Sequence, residues 1–287
     1  MSNNLRGELY AVVISLLESL FPIFSIFILK GGVQPLFAYA FSIGVATVIF
    51  VAMILYQNSW REFLVKEAWR DMLWLTFYIT TLFILIMIGL QYTTAGNMSV
   101  IISLQLFFSY LYFNVFGSEG MTATHSWGAL LMGVGAVIIL FPEDFSLNKG
   151  DALIFLAAVI APLVSKYQKQ ARVFVSSKTI LAFRNIVALP FVLGFAFFLE
   201  KTPTWENMEM VFPFVLLNGV LIFALSKTLF VEALNLIPIT KLLALLSFVP
   251  IFTLIFAYYI LGEVATVVQI VGVMPIILGT YFITKRG

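Results

Sequence analysis

The residue best placed to do chemistry in this chain is Glu18. It is a carboxylate about eleven residues from either end of an apolar run over 8–29. A charge at the centre of a bilayer costs about 2.5–3.5 kcal/mol on insertion scales, so a carboxylate kept there needs a task or a partner. Ser15, Ser19, Pro22 and Ser25 surround it at helical spacing, a polar stripe expected to face a cavity rather than lipid. Two chemistries fit: Glu18 binds an ammonium group, or it carries a proton. The plainer alternative is a structural carboxylate hydrogen-bonded to a neighbouring helix. Pro22 removes one backbone hydrogen bond and can kink the helix just beyond the acid.

Aromatic residues make up 16% of the chain and crowd the runs 72–91 and 95–116, among them Trp74, Phe77, Tyr78, Phe83, Phe107, Phe108, Tyr110, Tyr112 and Phe113. An aromatic wall beside a carboxylate suits a cationic or aromatic ligand. Lipid contact and helix packing account for most such phenylalanines. Tyr78 and Tyr110 are the better candidates, because a buried hydroxyl needs a partner. Four basic residues, Lys166, Arg184, Lys227 and Lys241, fall inside apolar runs but close to one end, where long side chains snorkel to the interface. Snorkelling is the expectation for Arg184. Lys166 and Lys241 are candidates for holding a carboxylate or phosphate or for forming an inner gate, and Lys227 less so. Asn97, Ser99, Ser103, Gln105, Asn218 and Ser226 are candidate cavity donors, with Asn218 and Ser226 two turns apart on one face. The same residue types also glue membrane helices together.

The chain has no cysteine and one histidine, His125, so thiolate metal sites and two-imidazole sites are excluded. No phosphate-loop or dinucleotide motif is present, which argues against direct ATP use and against a bound cofactor. Few conventional enzyme constellations remain. The net charge of +2 points to no nucleic-acid partner.

These side chains must be positioned by membrane-spanning helices. Hydrophobic residues make up 62% of the chain and charged residues 10%, with a mean hydropathy of +1.05, whereas soluble domains carry about 25% charged residues. Apolar runs fall at 8–29, 35–56, 72–91, 95–116, 124–141, 151–171, 178–199, 211–231, 240–261 and 265–284. The first has no small-residue cleavage pattern, so it reads as a retained helix and not a signal peptide. The charged stretch NSWREFLVKEAWRD is expected to form a short interfacial helix with Trp60, Phe63 and Trp69 toward the membrane. With a cytoplasmic N-terminus, Arg6, Arg61, Lys66, Arg70, Lys169, Arg172, Lys178, Lys285 and Arg286 fall inside, and only Lys30, Lys149 and Lys201 fall outside, beside acids that include Glu143, Asp144, Glu200 and Glu206. That bias predicts both termini in the cytoplasm.

The chain also repeats itself at an offset of 144 residues: Leu90 falls on Leu234, Ser103 on Ser247, Phe108 on Phe252, Glu119 on Glu263, Gly128 on Gly272 and Gly135 on Gly279. We read a duplication, 1–144 and 145–287. With five runs in each copy, an odd number, the second enters the membrane upside down. Two inverted halves can exchange asymmetric packings about one shared site, which is the logic of a secondary transporter. The glycine pairs read as packing faces.

In LQYTTAGNMSVI with the later GSE, in NKGD, and in ALNLIPITKLLALLSFVPIFTLIFAYYILGE, the chain resembles the drug/metabolite transporter superfamily, in its ten-span EamA-type branch, over nearly its whole length. Leu106 stands where the second copy has Pro250, so a proline-dependent bend is not expected in the first. The resemblance implies ten helices around a central cavity, with the fifth and tenth peripheral and the sixth and ninth, which carry Lys166 and Lys241, lining it. It also implies transport of a small metabolite, often outward, and leaves the substrate open. The expectation is therefore an all-α membrane protein of the plasma membrane, monomer or homodimer, moving a small amine-bearing metabolite such as an amino acid, with protons as a coupling ion. Its expected site is Glu18, Ser15, Ser19, Tyr78, Ser103, Tyr110, Lys166, Asn218 and Lys241. Import of choline-like cations, or flipping of a lipid or lipid-linked sugar, are the competing readings.

Overall fold

A computed structural model describes residues 3–112, 123–140 and 148–284. Phe113, Glu119, Glu143, Asp144, Lys285 and Arg286 lie outside them, as does the side chain of His125. The described residues form helices joined by short turns, with no strand among them. In order they are α1 (Asn3–Lys30), α2 (Pro35–Tyr56), a 3-10 turn (Trp60–Leu64), α3 (Lys66–Gly89), α4 (Ala95–Ser103), α5 (Gln105–Tyr110), α6 (Ala123–Leu140), α7 (Lys149–Arg172) and α8 (Ser177–Leu199). Then come α9 (Trp205–Leu217), a π-helical stretch (Asn218–Ser226), α10 (Lys227–Leu236), α11 (Ile239–Leu246), α12 (Val249–Phe256), a second π stretch (Ala257–Leu261) and α13 (Val267–Thr284).

Local chemistry sets these boundaries. Pro35 occupies the first turn of α2, where a missing N–H costs nothing. Thr94 caps α4 by accepting from Asn97 N–H at 3.1 Å, and Asn148 caps α7 by accepting from Gly150 N–H at 2.7 Å. Thr204 and Asn207 form a reciprocal capping box on α9. The expected interfacial helix is the 3-10 turn, pinned where Trp69 Nε1 donates to the Phe63 carbonyl at 2.8 Å. Seven described stretches are long and apolar enough to cross a membrane: α1, α2, α3, α7, α8, the continuous Trp205–Leu236 and Lys241–Leu261.

The repeat is visible as geometry. α4 breaks at Leu104 and α11 at Ser247, at matching places in the two copies. Ser103 Oγ donates to the Val100 carbonyl at 2.6 Å, and Ser247 Oγ donates to the Ala244 carbonyl at 2.7 Å. Each serine competes for a carbonyl of its own helix, which loosens the ladder and bends it. The break in the first copy therefore needs no proline.

α2 and α8 pack side by side and antiparallel, and each is capped by an acid that follows the other. Glu62, after α2, accepts from Ser176 N–H at 2.7 Å and from Thr179 Oγ1 at 2.7 Å, at the start of α8. Glu200, after α8, accepts from Leu36 and Phe37 N–H at 2.8 and 3.1 Å, at the start of α2. Carboxylates suit helix N-termini, where N–H groups lack partners and the dipole is positive. The two acids are nonetheless tuned apart. Burial pushes the Glu62 carboxyl up, but hydrogen bonds from the Ser176 hydroxyl and N–H and from Thr179, with the nearby Lys178 charge, outweigh it and hold the group below its ordinary value. At Glu200 burial outweighs the two N–H bonds, and the carboxyl sits above its ordinary value.

α6 and α13 also meet antiparallel, through the paired glycines. A Cβ on Gly135 would come within 2.7 Å of the Gly272 carbonyl, and one on Gly279 within 2.5 Å of the Gly128 carbonyl. Only hydrogen fits there, so backbone packs on backbone. Glu263, in the LGE turn, accepts from Ala95 and Gly96 N–H at the start of α4, and burial raises its carboxyl above the ordinary value.

Candidate functional site

A cavity of about 110 Å³ lies where the two copies meet. The first copy contributes α1, α3, α4 and α5. The second contributes α7, α8, α10, α11 and α12. Most of the lining is apolar, from Phe21, Ile79, Phe83, Ile86 and their neighbours. Behind Phe83 the rings of Phe223 and Tyr39 close the packing at 4.8 and 5.5 Å between centroids.

Glu18 stands in this wall, and it is paired. Lys227 Nζ donates to its Oε1 at 2.6 Å, and Ser226 Oγ donates to the same oxygen. The two side chains are 19% and 13% exposed, so the pair is largely withdrawn from water. Lys227 Nζ also lies 5.3 Å from the Phe83 ring centre. Ser226 ends the π-helical stretch and Lys227 begins α10. Such local widening re-aims side chains and recurs at functional sites. Here two consecutive residues converge on one oxygen.

Arg184 of α8 lines the same cavity and is 2% exposed. The expectation of snorkelling is overturned: the guanidinium is turned inward, and Glu18 lies within its electrostatic reach. Arg184 Nε donates to Asn185 Oδ1 at 3.2 Å. Nη1 is buried with no hydrogen-bond partner among the described residues. The same is true of Nε2 of Gln168, which also lines the cavity and is 2% exposed. Ser99, Ser103, Ser165 and Gln105 complete the polar lining.

Of the nine residues of the expected site, Glu18 and Ser103 line the cavity, as do the candidate donors Ser99 and Gln105. Ser15 Oγ instead donates to the Ala11 and Leu245 carbonyls at 2.8 and 3.3 Å, tying α1 to α11. Ser19 is buried against α12, where its carbonyl accepts from Thr253 Oγ1 at 3.4 Å. Asn218 Nδ2 donates to Ser25 Oγ at 3.2 Å, joining the π stretch to α1. The polar stripe on α1 thus avoids lipid by facing neighbouring helices. Tyr78 stacks on Tyr167 at 5.7 Å and on Trp74 at 5.7 Å, outside the cavity lining. Lys166 Nζ joins that cluster, 5.5 Å from the Tyr112 ring centre and 5.6 Å from that of Tyr167. Tyr110 is buried in the core. Lys241 Nζ donates to Glu8 Oε1 at 2.6 Å in a half-exposed pair away from the cavity. Sequence reasoning missed Arg184 and Gln168 as cavity residues and ranked Lys227 too low. The available signal was an amide and a cation interrupting otherwise apolar runs.

The comparisons accord with this architecture. A relative from Archaeoglobus fulgidus, described as an uncharacterized transporter, is 28% identical over 242 residues, covering 79% of this chain and 81% of the relative. A protein of known crystal structure superposes with a TM-score of 0.71 at 14% identity, covering 98% of this chain and 97% of that one, and so shares the fold. The pattern of the EamA-like transporter family matches twice, over residues 5–141 and 148–285, and the chain belongs to that family, a multi-pass membrane protein built as two copies.

Proposed function

We propose that this protein is a secondary transporter that moves a small amine-bearing metabolite, an amino acid in the simplest case, across the plasma membrane by alternating access. In this reading the chain crosses ten times as two inverted repeats, 1–144 and 145–287. α4 with α5, α6 and α13 then add three crossings to the seven long stretches. The antiparallel pairing of α2 with α8 and of α6 with α13 supports the inversion, because each pair joins equivalent helices of the two copies. The Glu8–Lys241, Glu62–Ser176 and Arg172–Glu232 contacts gather the basic segments at one end, which fits a cytoplasmic face carrying both termini.

The observation that carries the reading is the cavity itself, walled by both copies and crossed by the Glu18–Lys227 pair. Both donors fall on Oε1 of Glu18, which leaves Oε2 to a substrate ammonium. Outward movement and proton coupling complete the proposal. The choline-like reading has less support, because Glu18, Lys227 and Arg184 together give the lining a net charge of +1.

The test is counterflow of radiolabelled amino acids in proteoliposomes. Wild-type protein exchanges label, and Glu18→Gln, still folded in detergent, does not. Undiminished exchange by Glu18→Gln removes Glu18 from the mechanism.

A further inference from the structure

We infer that the cavity anchors its substrate through a carboxylate received by Arg184 and Gln168, an inference that rests on the transport reading above for the nature of its ligand. Two independent observations carry it. Arg184 Nη1 and Gln168 Nε2 are donors, both on side chains 2% exposed, both lining the cavity, and neither has a partner among the described residues. Buried donors are almost always satisfied, and an unsatisfied cationic one is the more costly kind. Both side chains line one cavity, so the nearest source of the missing acceptor is a ligand that fills it.

Charge points the same way. The charged lining residues are Glu18, Lys227 and Arg184, and Lys227 already neutralises Glu18. One positive charge is left over, on Arg184, among apolar walls. A single negative charge completes the site, whereas a phosphate monoester, at nearly two, would overshoot it. Guanidinium also matches a carboxylate in geometry, offering parallel N–H donors in a planar fork. Asn185 Oδ1 holds Nε at 3.2 Å, which fixes the plane of that fork and leaves Nη1 for the ligand. Asn185 is thus a positioning residue. An amino acid would then bridge the site, its carboxylate on Arg184 and Gln168 and its ammonium on Glu18. Glu18 already has two donors and Arg184 Nη1 has no acceptor, so the carboxylate supplies most of the affinity.

The test is equilibrium binding to purified full-length protein in detergent, with a panel of L-amino acids, the matching amines lacking the carboxylate, the matching acids lacking the amine, and phosphate monoesters. We expect the acids to bind nearly as well as the parent amino acids and the amines to lose binding. Arg184→Gln and Gln168→Leu should each weaken the acids by about 10- to 100-fold, the worth of a charge-assisted hydrogen bond. Gln168→Leu adds no charge and keeps the volume, so it reports on the site even if Arg184→Gln folds poorly. Amines that bind as well as amino acids, phosphate monoesters that outcompete carboxylates, acids whose affinity ignores both substitutions, or a panel with no carboxylate binder would each overturn the inference. Two outcomes separate it from the transport reading. Acid binding that depends on Arg184, without flux in proteoliposomes, leaves the subsite standing and removes the transporter mechanism. Flux of amines indifferent to Arg184 does the reverse.

Discussion

The Glu18–Lys227 pair makes a quantitative demand that a double-mutant cycle can meet. At 2.6 Å the attraction is about 6 kcal/mol for an effective dielectric constant near 20. Most of that is offset by the cost of taking both ions out of water, so the intact pair is worth little against an apolar replacement. Breaking it is another matter. Glu18→Gln leaves two cations, Lys227 and Arg184, in one apolar cavity with no carboxylate between them. The expected loss is about 3–5 kcal/mol, the range for an orphaned buried charge. Lys227→Met is milder, about 2–3 kcal/mol, because Ser226 still donates to Glu18 and Arg184 lies within its field. The double variant should lose no more than about 2–3 kcal/mol, which gives a coupling of about 4 kcal/mol.

Reversible unfolding by SDS titration in mixed micelles, read by tryptophan fluorescence, measures each corner of the cycle. The order of the single variants is as diagnostic as the coupling, since it depends on Arg184 facing inward. A coupling below about 0.5 kcal/mol, the scatter of independent sites, would mean that the two groups do not meet. Glu18→Gln milder than Lys227→Met would mean that Arg184 does not share their cavity.

The two carboxylate caps should respond to acid with opposite signs. Glu62 is held below the ordinary value of 4.5, so it stabilises the fold above that pH and the benefit is lost as pH falls through its lowered folded value. Glu200 is raised, so its ionised form is penalised in the fold, and stability from this group rises as pH falls through its raised folded value. Glu62→Gln should cost about 1 kcal/mol at neutral pH, its partial exposure to water screening the charge, and flatten the acid limb, with Glu200→Gln costing less. Thermal melts of both variants from neutral pH into the acid range check the order, and equal losses would refute it. Gly279→Val should destabilise by about 1–3 kcal/mol, because its Cβ would sit 2.5 Å from the Gly128 carbonyl and overpack a backbone contact. An unchanged melting temperature would show that α6 and α13 are not in contact.

What could be read in advance is what repeats or stands alone. Ser103 and Ser247 match at one offset, and each bonds a carbonyl of its own helix beside the break. Gly135 and Gly279 match in the same way, and each lies against the backbone of the opposite copy. Glu18 was legible because a deep carboxylate is rare enough to need a reason. Its partner was not. Lys227 is 209 positions away, and nothing local distinguishes a lysine that snorkels from one that turns inward. Arg184 defeats the same rule. Depth along a helix says how far a side chain must reach for water, whereas burial depends on which way the helix is rotated. In a membrane protein both lipid and core are apolar, so hydrophobic periodicity does not report that rotation. The stripe of Ser15, Ser19 and Ser25 has the same ambiguity: helical spacing marks a face protected from lipid, and either a cavity or another helix can protect it.

The two copies share a backbone plan but divide the chemistry between them. The cavity's acid comes from the first copy, on α1, and its cations come from the second, on α8 and α10. Any rearrangement that parts α1 from α10 must therefore separate opposite charges in apolar surroundings, at a cost of several kcal/mol if nothing replaces the lost partner. In the proposed reading, a substrate bearing both an ammonium and a carboxylate would supply both replacements, the first to Glu18 and the second to the cations left behind. In the proposed transporter the Glu18–Lys227 pair would resist opening, and a zwitterion would lower that resistance in proportion to how well it fits. A binding site of this design would couple occupancy to movement through electrostatics alone, with no separate gate. It would also explain why the chemistry is asymmetric in a fold whose halves are so alike: two copies of the same charge facing each other could form no such latch.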